Sequence, residues 1–150
     1  MSELDNIQDR LEALPDYQIL NWFWLMIRQG ADKLATVQIL SLVVVSRPAD
    51  WNRSQVRQQH ERGHSRIAKF LNLRCFLCES TQKRLYFHHL LEVQNGGDNN
   101  PRNLVPLCFA CHKSIHPWLI EEAPYRTNDF ESTARIMPRA MELLEKLVKP

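Results

Sequence analysis

Four cysteines and a set of histidines carry the chemistry in this chain of 150 residues. Cys75 with Cys78, and Cys108 with Cys111, form two Cys-x-x-Cys pairs. The two-residue gap lets both sulfurs of a pair face one ion, and four thiolates satisfy a tetrahedral metal. With no secretion signal, that spacing predicts structural Zn2+ rather than a disulfide framework. The pairs stand 29 residues apart, longer than a zinc ribbon needs, so something is built inside the clamp. It is the stretch "YFHHLLEVQNGGDNNPRNL", residues 86–104.

His88 and His89 are adjacent at the end of a strand-like run, so their side chains leave opposite faces and need separate roles. Past Cys108, His112 and His116 lie four apart and share a helix face, an arrangement suited to chelating a divalent ion. His88 at the strand end supplies a third ligand, leaving positions open for a phosphate oxygen and water. His89, beside the metal but not on it, can take a proton from water near neutral pH. Asn103 can tie loop backbone together and hold His89, and Gly96 and Gly97 let the loop fold back beneath the strand.

The elements that must position these groups follow from periodicity. Leu4, Ile7, Leu11 and Leu14 make a helical stripe with Ser2 available as N-cap, stopped by Pro15. Asp16 can cap a second helix through "NWFWLMI", ending at Gly30. A third apolar segment runs from Lys33 to Val45; its first half is helical, while "LVVV" could equally be a strand. Residues 51–71 read as a basic helix with Val56, Ile67, Phe70 and Leu71 on its apolar side, and with His60 and His64 on a solvent- or phosphate-facing stripe. "LYFHH" and "LVPLC" read as strands, "CFACHKSIH" leads into a helix, and "EEAP" is a linker. The last helix, 138–149, packs Ala140, Met141, Leu144, Leu147 and Val148 over the core.

Composition bounds the function. The apolar fraction (44%) and charged fraction (24%) fit a folded globular chain. The two long apolar runs are each too short to span a bilayer, and the acidic N-terminus lacks the order of a signal peptide, so the expectation is a cytoplasmic protein with no membrane partner. The net charge of +2 is unevenly spread: residues 47–84 hold nine basic and three acidic groups, a surplus that a polyanion would seek. Arg53, Arg57, Arg62, Arg66 and Lys69 are the candidate nucleic-acid contacts, against the plainer reading of a solvated helix face.

Taken as a set, "CFLC" and "FHHLLEVQNGGDNNPRNLVPLCFACHKSIH" resemble the HNH endonucleases, the ββα-metal nucleases, over roughly residues 72–116. The resemblance implies an α+β fold: a small ββα core clamped by the four-cysteine zinc site, a helical N-terminal extension (1–46) and a nuclease domain (47–150). It implies that His88 binds the catalytic ion, His89 is the general base, Asn103 is the structural asparagine and His112 belongs to the metal end of the motif. His116 matches a further ligand that some members add. The implied reaction is metal-dependent hydrolysis of DNA, expected to be double-stranded, with one catalytic Mg2+, Mn2+, Ni2+ or Zn2+ and with 5′-phosphate and 3′-hydroxyl products. All-imidazole ligation favours the softer of these ions.

Two other readings stand beside this one. A catalytically inactive zinc module binding nucleic acid or a protein explains the cysteines and the basic helix but leaves the histidines as ordinary surface residues. Trp22, Phe23 and Trp24 read as core packing or as a surface for a homodimer or protein partner, in which case the helices act as an adaptor.

Overall fold

The computed structural model describes residues 3–47, 49–56, 58, 73–81, 84–115 and 138–146. Ser2, Arg57, His60, Arg62, His64, Arg66, Ile67, Lys69, Phe70, Leu71, His116, Leu147 and Val148, and the side chain of Leu4, lie outside the described residues.

Three helices open the chain: α1 (Glu3–Glu12), α2 (Asp16–Arg28) and α3 (Lys33–Leu40). α1 turns Ile7 and Leu11 inward, both fully buried, as the four-residue spacing predicts. Asp16 does not cap α2. Pro15 occupies the N-cap, with no side-chain hydrogen bond, and Asp16 is the first helical residue. Its carboxylate instead pairs with Arg47. Burial pushes the Asp16 carboxyl upward, and Arg47 opposes that rise without cancelling it. α2 ends where Gly30 takes a positive φ of 85°.

α3 is buried on every side from Leu34 to Leu40, as befits a helix apolar all round. Its cap is Asp32, whose side chain accepts from Ala35 N at 2.8 Å. The segment after it is neither helix nor strand. Val43 and Val45 point into the core while Val44 is exposed, so the apolar run buries alternate residues without finding a strand partner.

β1 (Leu85–His89) and β2 (Leu104–Cys108) pair antiparallel, with Leu85 opposite Cys108 and His89 opposite Leu104. Helix α4 (Phe109–Lys113) follows β2 directly. Facing residues share a face, so Tyr86, His88, Val105 and Leu107 lie together while Phe87, His89, Leu104 and Pro106 lie opposite. α4 covers the first set: Phe109 meets Tyr86 at 6.2 Å between ring centres, and His112 meets His88 at 5.4 Å. The fold is thus α+β, with residues 138–146 helical and Ala140, Leu143 and Leu144 buried. No helix among the described residues is long and apolar enough to cross a membrane.

One hydrophobic cluster runs from Ile7 and Leu11 through Trp22, Phe23 and α3 to Leu90, Leu107, Ile115 and Leu144. Polar ties follow it. Trp22 Nε1 donates to Ala140 O at 3.0 Å, Trp24 Nε1 to Arg102 O at 2.9 Å, Lys33 Nζ to Phe76 O at 3.0 Å and Gln38 Nε2 to Ser114 O at 3.2 Å. The aromatic helix therefore packs against the ββα unit, and Phe23, Trp24 and Phe76 form one ring cluster.

Candidate active site and metal centre

The four cysteines converge from three elements. Cys75 and Cys78 sit on a tight turn, Cys108 ends β2 and Cys111 lies on the first turn of α4. Their sulfurs lie within 4.8 Å of one another. Thiolates placed about 2.3 Å from a tetrahedral ion stand about 3.8 Å apart. The Cys78 and Cys108 sulfurs are 3.8 Å apart, so the donor set fits one such ion. The turn is closed by Glu79 N donating to Cys75 O at 2.9 Å, with Glu79 itself at a φ of 62°. Phe76 N donates to Pro106 O at 2.8 Å, which locks the turn to β2.

Electrostatics distinguish the sulfurs. Burial pushes the Cys75 thiol up, but the backbone N–H groups of Cys78, Cys108 and Leu77 outweigh it and bring the thiol down to about 7. Cys108 N reaches the Cys75 sulfur at 3.4 Å. Cys111 is pushed the other way, by burial first and then by the neighbouring sulfurs. A bound cation reverses that repulsion, since it stabilises every thiolate at once.

The two adjacent histidines divide as the strand geometry requires. His88 is 5% exposed and turns toward α4 and His112. His89 is 9% exposed and turns toward the loop, where its Nε2 lies 2.8 Å from Asn99 Oδ1. Asn99 Nδ2 donates to Val56 O at 2.8 Å. That bond fixes which end of the amide faces the ring, so Asn99 Oδ1 accepts and His89 Nε2 donates.

Asn103 does a different job from holding His89. Its amide, 1% exposed, accepts from Leu91 N at 2.7 Å and donates to Leu91 O at 3.0 Å and Asp98 O at 2.8 Å. It staples the loop onto the strand end. The glycines permit this closeness. A Cβ on Gly97 would lie 1.6 Å from Leu91 O, and one on Gly96, at a φ of 102°, would lie 2.4 Å from Val45 O. Val45 N donates to Asn95 O at 2.6 Å, and Arg47 bonds both Gly96 O and Asp16, so the loop is docked onto the chain leaving α3.

His89 thus donates to Asn99, a residue that sequence reasoning passes over. Four asparagines (Asn95, Asn99, Asn100 and Asn103) crowd this loop, and only the fold distinguishes them. Among the basic candidates, Arg53 is exposed on a short helical segment, 53–56, begun by Asn52, whose side chain accepts from Gln55 N at 3.0 Å. Through Val56 O this segment touches the amide that holds His89.

An antiparallel strand pair, a following helix and two Cys-x-x-Cys pairs gripping its ends define a small ββα module with a four-cysteine metal site. Residues 75–117 match the family model for HNH endonuclease, and the motif resemblance therefore holds for this segment. The chain is also similar to Anaredoxin from Nostoc sp., at 24% identity over 58 residues covering 39% of this chain and 76% of that protein. No solved structure matches it.

Proposed function

We propose that this chain is a metal-dependent endonuclease that hydrolyses phosphodiester bonds of double-stranded DNA. The observation that carries the reading is the placement of the imidazoles inside the HNH segment. His88 and His112 meet across strand and helix at 5.4 Å, while His89 is anchored on the other face at the same strand end. Two imidazoles sharing one ion at about 2.1 Å bring their ring centres to about 5 Å, so His88 and His112 fit a common divalent cation. His116, four residues beyond His112, would complete the set. When bound, the ion polarises the phosphate and stabilises charge on the departing 3′-oxygen. Mn2+, Ni2+ and Zn2+ suit this donor set better than Mg2+.

The chain's own residues supply the rest. His89 takes a proton from a water aimed in line at phosphorus, and Asn99 orients its ring through Nε2. Asn103, Gly96 and Gly97 hold the loop that carries Asn99. The cysteines hold a Zn2+ that fixes the ends of β2 and α4, so His112 arrives opposite His88. Arg53, with Arg57, Arg62, Arg66 and Lys69, would track the phosphate backbone. A cytoplasmic setting accords with thiols kept free for metal.

Supercoiled plasmid incubated with Mn2+ or Ni2+ tests the reading. The 150-residue chain should nick it, and His89→Ala should slow nicking by about 10²–10⁴-fold with the melting curve unchanged. Equal nicking by both proteins, or none by either across several metals, would favour an inactive zinc-binding module.

A further inference from the structure

The turn that carries Asn103 also forms one wall of a second feature. A shallow cavity of about 430 Å³ is lined by Trp24, Ile27 and Arg28 from the last turns of α2 and by Pro101 and Arg102 from the Pro101–Asn103 turn. Its floor is rigid. The Trp24 indole is held edge-on against Phe23 at 5.0 Å and Phe76 at 6.0 Å, and its N–H donates to Arg102 O. Its rim is cationic. Arg28 and Arg102 are both exposed, neither forms an ion pair with another described residue, and the lining includes no acidic side chain. Arg102 is three residues from Asn99, at most about 11 Å along the chain, so the cavity adjoins the loop that holds His89.

We infer that this cavity is a nucleotide subsite beside the cleavage centre. Arg28 and Arg102 take the phosphate of a DNA nucleotide flanking the scissile bond, and Trp24, Ile27 and Pro101 pack against its deoxyribose. The assignment rests on the nuclease reading only for the word flanking; as a nucleic-acid surface it stands by itself. Guanidinium groups clamp phosphate oxygens bidentately, and an apolar wall packs against a deoxyribose whatever base it carries. The subsite therefore adds affinity and register but no sequence preference. It also gives the aromatic helix a share in substrate binding that the basic segment 47–84 does not account for.

Equilibrium binding of a labelled duplex to the 150-residue chain, without divalent ion, tests it across a salt series. Each phosphate that a cation neutralises adds about 0.9 to the slope of log K against log[salt], so the double variant Arg28→Gln/Arg102→Gln, which frees one phosphate, should flatten that slope by about 0.9. Arg28→Lys/Arg102→Lys should retain the slope. An unchanged slope in a Gln variant that melts like the parent would overturn the assignment. So would retention of polyglutamate by the parent and its loss by the Gln variant with duplex binding unaffected, which would make the groove a site for an acidic protein. Plasmid nicking run in parallel separates the two claims. Nicking with an unchanged slope removes only the subsite, and a flattened slope without nicking removes only the nuclease.

Discussion

His89 and Asn99 are joined by a 2.8 Å hydrogen bond whose polarity is set from a third residue, because Asn99 can present its oxygen to the ring only while its nitrogen faces Val56 O. On the proposed mechanism Asn99 is therefore a positioning residue for His89. Asn99→Ala should lower kcat by roughly 10–100-fold, the usual cost of losing an outer partner of an active-site histidine, with KM for DNA little changed. Imidazole nitrogen NMR should show the parent holding a single neutral tautomer and the variant a mixture. An unaltered tautomer in the variant would remove Asn99 from this role.

The proposed ion-binding pair, His88 and His112, makes a separable prediction. His112→Ala removes one of two imidazoles that face each other at 5.4 Å and leaves all four cysteines in the chain. Calorimetric titration with Mn2+ or Ni2+ should show binding weakened by tenfold or more, while tightly held zinc stays at about one ion per chain. If zinc is lost along with the second ion, His112 belongs to the cysteine site and the two-centre description fails.

Cys75 lies at the hub of the four-sulfur cluster and is fully buried. Cys75→Ser should abolish the cooperative melt rather than merely slow cleavage, because metal binding and folding of such a module are one event. Dialysis against a strong chelator should act on the parent in the same way, followed by circular dichroism. A stable, active protein without metal would contradict the structural role given to this ion.

How far these groups are legible in the sequence depends on whether local pattern or distant packing sets them. The strands, the cysteine pairs and the facing of His88 toward the helix follow from alternation and from spacing along one element. Asn99 is not legible, because its partners lie 10 and 43 positions away and its neighbours are also asparagines. Asp16 has the residue type of a helix cap but goes to Arg47, since Pro15 already supplies the extended backbone that an N-cap needs. "LVVV" offers strand propensity with no strand to pair with, and burial of Val43 and Val45 takes its place. Arg47, one of the nine cations in the basic segment, is committed to Asp16 and Gly96 O inside the fold.

Gly97 gives a stability prediction with a definite direction. A methyl group there would lie 1.6 Å from the carbonyl oxygen of Leu91, which Asn103 also binds, so neither neighbour can yield without opening the staple. Gly97→Ala should destabilise the protein by about 3 kcal/mol or more in urea titration, near the upper range for single substitutions. Asn103→Ala, which leaves buried backbone groups of Leu91 and Asp98 unpaired, should cost about 2–4 kcal/mol. A melt unchanged by either substitution would mean that the loop is not held as described.

The helical N-terminus bears on whether the ββα module can stand alone. Trp22, Phe23, Met26, Leu34, Ile39 and Leu40 are almost wholly buried, in one cluster with Leu107, Ile115 and Leu144. At about 1.5–3 kcal/mol each, six such side chains contribute roughly as much as the entire net stability of a domain this size. A chain beginning at residue 47 also loses Lys33 from Phe76 O beside the cysteine turn and Trp24 from Arg102 O. Such a fragment should therefore lack a cooperative thermal transition even with zinc supplied, and its DNA cleavage should vanish with the fold. Recovery of a sharp transition and of nicking in the 47–150 fragment would instead make residues 1–46 a dispensable attachment, leaving partner choice as their role.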